Sequence, residues 1–208
     1  MALIKKHTAP AIEEFPPLQT LPEAMAYYHL KEGNFDSQAY AAEKIASFDG
    51  GGVKLVHLLV DDPHIDKDMA SYIASLLTAM DAKCAPIEAI MELLKVRNAY
   101  IRNLGITTLQ SYGDAIKYYI VKFLIGSDRD LRIFAINVLG DVNFAESREM
   151  LVELLENETD VNVAMTAVDY MAEIGEVRDI ELLGNVKGRF NDSYVAFAVD
   201  NAIRRIRG

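Results

Sequence analysis

The stretch Asp130-Leu-Arg-Ile-Phe-Ala-Ile-Asn-Val-Leu-Gly-Asp-Val142 decides the fold. Leu131, Ala135, Leu139 and Val142 lie 0, 4, 8 and 11 residues along it, which is one apolar stripe of a 3.6-residue helix. Asp128, three residues before Leu131, is a preferred helix N-cap, because its side-chain oxygen can accept a bond from a free amide in the first turn. Moving outward, the same pattern returns at Ser37, Met69, Ile101, Leu131, Val163 and Val195, spaced by 32, 32, 30, 32 and 32 residues. Asn34, Asp66, Asn98, Asp128, Asp160 and Asp192 stand three residues before each. Position 4 holds Ala41, Ile73, Gly105, Ala135, Ala167 and Val199, and position 8 holds Ile45, Leu77, Leu109, Leu139, Met171 and Ile203. Each unit therefore contains an amphipathic helix of about four turns, termed here the B helix.

Position 12 carries the expected stops: Asp49, Asp81, Gly113, Asn143, Gly175 and Arg207. Gly and Asn tolerate the left-handed backbone that closes a helix, and Gly50 to Gly52 can serve where Asp49 is less suited. A second, shorter helical pattern, the A helix, falls at 21–30, 53–60, 86–95, 115–125, 147–155 and 178–186. No period-2 strand pattern competes with it. The expected architecture is all-α, a solenoid of six helical hairpins forming one domain over 21–208. Its units run at about 21–49, 53–81, 86–113, 114–143, 145–175 and 178–208. Residues 1–20, with Pro10, Pro16 and Pro17, read as an extended arm. One hairpin cannot hide its whole apolar surface, and stacking lets neighbours bury a continuous core.

The 130–142 stretch, together with Val163 to Gly175 and Ile101 to Gly113, resembles the B-helix motif of bacterial HEAT-like repeats of the PBS-lyase type. The arginine usual after position zero is present as Arg102 and Arg132, and is replaced by Gln38, Ala70, Ala164 and Ala196 elsewhere. The resemblance implies a superhelix whose B helices line the concave side. It also implies an alternative function beside protein binding, that of a phycobilin lyase-like or phycobilisome-turnover factor acting on bilin-carrying proteins. Two enzymatic relatives do not fit. The HEAT-repeat hydroxylases hold iron on His-Glu pairs, whereas His7, His29, His57 and His64 precede Thr, Leu, Leu and Ile. The HEAT-like glycosylases need a basic, aromatic groove, whereas this chain lacks Trp and presents Asp141, Asp169 and Glu173.

The 208 residues include 31 acidic and 21 basic side chains, a formal charge of −10, which disfavours general binding to nucleic acid. No apolar run reaches the roughly 18 residues of a membrane span, and no secretory signal is visible. A single cysteine, Cys84, suits a reducing cytoplasm. His57 and Asp61 share a helical face beside Asp62, His64, Asp66 and Asp68, but an acidic solvated turn explains them better than a metal. No cofactor and no catalytic set is expected.

What remains is a surface. On the B helix, positions 2 and 6 turn away from the core stripe. Position 6 gives a polar row ending in Asn137, Asp169 and Asn201, and position 2 becomes apolar at Ile133, Met165 and Phe197. With Phe134, these residues are expected to form an apolar strip where a partner protein lays its anchors beside hydrogen-bonding side chains. Position 3, from Tyr40 to Ala198, is expected to pack between helices. The last helix carries Tyr194, Val195, Phe197 and Val199 around a thin polar face, so it is a candidate homodimer surface, with Arg204, Arg205 and Arg207 as a basic tip. The chain is thus expected to be a non-enzymatic scaffold, adaptor or assembly factor.

Overall fold

The computed structural model describes residues 26, 30, 33–62, 64–142 and 144–208. The 1–20 arm lies outside them, as does Asn143; of the first A helix only Ala26 and Leu30 are described, both helical and buried. Among the described residues every regular element is helical. The B helices are α1 (Phe35–Ala46), α3 (Lys67–Thr78), α5 (Ala99–Gln110), α7 (Arg129–Gly140), α9 (Val161–Ile174) and α11 (Ser193–Arg207). The A helices are α2 (Gly51–Asp61), α4 (Ile87–Glu92), α6 (Lys117–Leu124), α8 (Ser147–Asn157) and α10 (Ile180–Phe190). Short 3-10 turns extend this layer at Leu93–Lys95, Gly113–Ile116 and Val177–Asp179.

The helices form two layers. Each B helix packs on the next, and the A helices line up behind them, so the chain is an all-α solenoid. The B helices run parallel, because equivalent ends meet. Near the starts, Tyr100 bonds to Ser71; near the ends, Gln110 Nε2 donates to Asp141 Oδ2 at 2.8 Å and Arg205 lies 3.5 Å from Glu173. A single apolar core runs through the stack, with Ala41, Ile73, Ala135, Ala167 and Val199 of position 4 all buried.

All six expected N-caps are in place: Asn34, Asp66, Asn98, Asp128, Asp160 and Asp192 each accept a backbone amide of the first turn through the side chain. The stops follow expectation in part. Gly50 and Gly113 do adopt φ of +69° and +56°, but Gly175 is extended, with φ −69° and ψ 155°. Four B helices, including those followed by Gly50 and Gly113, also tighten the last turn: Phe48, Met80, Tyr112 and Val142 each donate a backbone amide to the carbonyl three residues earlier. Such a turn needs no left-handed residue. Position 11 is thereby drawn back over the core, and the Tyr112 hydroxyl donates to the Leu77 carbonyl of the preceding B helix. Burial pushes that phenol up to about 12.

The two motif arginines perform one task in two units. Arg102 Nη1 donates to the Val96 carbonyl at 3.0 Å, and Arg132 Nη1 to the Gly126 carbonyl at 2.9 Å, fastening each A-to-B link to its own B helix. Arg132 goes further and forks onto Glu158, at 2.8 and 3.2 Å. The Glu158 side chain is only 6% exposed, and its Oε1 also accepts the Thr159 and Asp160 amides. A second buried fork joins Arg148 of α8 to Asp179 ahead of α10.

Candidate functional site

The seven residues expected at a partner surface sit on α7, α9 and α11. Position 6 behaves as a surface row, with Asn137 half-buried and Asp169 and Asn201 exposed. Position 2 does not form a continuous exposed strip. Ile133 is half-buried, Met165 is 5% exposed and belongs to the core, and Phe197 is 64% exposed. The neighbours explain this gradient. Helix α9 is packed between α7 and α11 within its layer, in keeping with the burial of Met165. Among the described residues α11 has no following helix, so the equivalent Phe197 stays in solvent.

Phe134 is half-buried and already engaged: the Arg102 guanidinium lies 4.4 Å from its ring centroid, a cation–π contact across adjacent repeats. All six residues of position 3 are half-buried, in keeping with packing between helices. The polar row is partly tied into the fold as well. Gln110 Nε2 donates to the Asn137 carbonyl at 3.0 Å, and Arg204 Nη2 donates to Asn201 Oδ1 at 3.1 Å.

The electrostatics are acidic. Partial burial raises the Asp169 carboxyl above its ordinary value. Beside it, burial and then the carboxylates of Asp141, Glu173 and Asp169 hold the Tyr170 phenol above its own. This surface can accept hydrogen bonds and offer an aromatic face at Phe197, with Tyr194 exposed on the same helix. Its charge would repel phosphate.

No group of three potential metal ligands converges among the described residues; His57, Asp61 and His64 are exposed, as is the free Cys84. No described helix is long and apolar enough to cross a membrane.

One feature escaped the sequence reading. Helix α6, Lys-Tyr-Tyr-Ile-Val-Lys-Phe-Leu, buries Ile120 and Leu124 yet leaves Tyr118 79% and, at its C-cap, Ile125 76% exposed, with Val121 between them. The signal was an apolar surplus all around a short helix, where an amphipathic one would have sufficed.

Residues 119–202 match the family described as HEAT repeats. Two crystal structures of engineered proteins are similar. The first is 20% identical, with a TM-score of 0.46, covering 89% of this chain and 96% of that one. The second is 22% identical, with a TM-score of 0.42, covering 89% of this chain and 58% of that one. No curated protein matches the chain. The matched segment runs from within α6 to within α11, so over that stretch the chain is similar to HEAT repeats, and the capped, stacked hairpins before it repeat the same helical pattern.

Proposed function

We propose that residues 21–208 act as a single non-enzymatic repeat module, a scaffold, adaptor or assembly factor in the cytoplasm, that binds another protein on the B-helix face of α7, α9 and α11. HEAT repeats commonly mediate protein interactions, which supports the general reading. The observation that carries the site is Phe197, 64% exposed on the terminal B helix and flanked by the Asp169–Asn201 polar row. An exposed aromatic beside acceptors suits a segment that supplies an apolar anchor and N–H donors. Ile133, Phe134 and Asn137 extend this surface toward α7; Met165 supports it from below.

The experiment is capture from the native host, using the wild type and a Phe197→Glu, Asp169→Lys double variant. Partner capture is expected to disappear while the helical circular-dichroism signal and melting temperature persist. Undiminished capture overturns the assignment. Sedimentation of the same two proteins checks the related idea that α11 pairs two copies, since a dimer using Phe197 would dissociate in the variant. No arrangement among the described residues favours the bilin-lyase alternative.

A further inference from the structure

The A layer has a break. Helix α2 packs on α4, α4 on α6 and α8 on α10, but α6 and α8 come less close and are tied at their starts by the Lys117–Glu146 ion pair. The break falls where the repeat shortens from 32 residues to 30, between Ile101 and Leu131, and where the A helix has only 8 residues. Between α6 and α8 lies a cleft of about 410 Å³. Val121 and Ile125 form one wall, Met150, Leu154 and Glu153 the other, and the Arg132–Glu158 pair closes one end.

The walls differ in character. The α6 side carries the exposed apolar surplus, Val121 and Ile125 with Tyr118 beside them. The α8 side carries exposed Glu153 in the cleft, with exposed Glu149 one turn before it and Glu156 turned toward the groove between α8 and α10. Glu149 is paired to Arg148 and Arg178, whereas Glu153 and Glu156 have no ion pair among the described residues. An apolar wall facing the unpaired Glu153 carboxylate is complementary to an amphipathic helix with apolar residues on one stripe and Lys or Arg along its edge. A second copy of this chain is a poorer match, because each copy brings a charge of −10 to an acidic wall.

We infer that the α6–α8 cleft is a second docking site, independent of the B-helix face, which takes a basic amphipathic helix from another protein. The segment would stand in for the close A-helix neighbour that α6 lacks on its α8 side.

The test uses the full chain and a labelled 18-residue peptide with Leu at i, i+3, i+4 and i+7 spacing and Lys at the flanks. Controls are a scrambled peptide of the same composition and a version with Glu for Lys. By fluorescence anisotropy at physiological salt, the first peptide should bind at least tenfold more tightly than either control. Ile125→Asp and Glu153→Lys, both at exposed positions, should each weaken it at least tenfold with the helical signal intact, and Phe197→Glu should leave it unchanged. Equal binding of the scrambled peptide, or undiminished binding to both cleft variants, overturns the inference. Loss on Phe197→Glu alone would overturn it too and place the peptide on the B-helix face. Dimerisation of the unliganded chain that Ile125→Asp abolishes would make the occupant a second copy, again against the inference.

Discussion

Every described B helix begins on an Asn or Asp whose side chain accepts first-turn amides, whereas the five A helices begin at Gly50, Pro86, Ile116, Glu146 and Asp179 with no side-chain cap bond. B helices run 12 to 15 residues and A helices 6 to 11. The B layer is thus specified locally, each helix carrying its own start signal, and it keeps the register of the stack. The A layer is specified by what it packs against and is completed by 3-10 turns, so it can shorten, shift or open. The break between α6 and α8 belongs to the layer that tolerates it.

The largest effect should come from cutting the tie between the layers at that break. Arg132→Ala leaves the Glu158 carboxylate buried without its cation, and urea unfolding should show a loss of about 3–5 kcal/mol. A loss below 1 kcal/mol would mean that the Thr159 and Asp160 amides suffice to hold Glu158, and that the layers are joined by apolar contact alone.

A pair of glycines sharpens the contrast next. In α5 a Cβ on Gly105 would stand 2.6 Å from Leu93 Cβ, the stem of a buried side chain, so B helix and A-layer turn meet there with no room to spare. Gly105→Ala should cost about 1–3 kcal/mol despite the better helix propensity of alanine. On A helix α10 nothing lies within 4 Å of a Cβ at Gly184, so Gly184→Ala should gain about 0.5–1 kcal/mol. Opposite signs in the two melts are expected, and equal signs would erase the distinction.

The smallest effects compare helix starts. Asp160→Ala removes a cap that holds the Asn162 and Val163 amides and should cost about 1 kcal/mol. Glu146→Ala at the uncapped start of α8 loses an exposed ion pair with Lys117, and the melting temperature should shift less than in Asp160→Ala.

The B layer was legible in the sequence because its signals are local: a cap residue and an apolar stripe mean the same in any neighbourhood. Asn34 and Asp192 were found by spacing alone. Burial was less legible, since it depends on what a neighbouring helix covers. Met165 and Phe197 share a repeat position, yet the first lies on a helix packed between two layer neighbours and is buried, whereas the second, among the described residues, is exposed. The helix stops were legible only in part: Gly113 closes its helix left-handed as a Gly at position 12 suggests, whereas Gly175 at the same position is extended, because glycine permits the left-handed backbone without requiring it. The α6–α8 cleft was hidden because a distance between two helices has no single residue as its mark.

The parallel B helices have one more consequence. Each helix presents a partial positive charge at its amino end, and six such ends emerge along one rim. A bare rim of this kind would attract phosphate. Here Asp66, Asp128, Asp160 and Asp192 sit on four of the ends, with Asp36, Asp68 and Asp130 in first turns, so five of the six macrodipoles are masked from outside and only α5, which starts on Asn98, lacks an acidic residue. The rim that sets the helices in register also turns anions away.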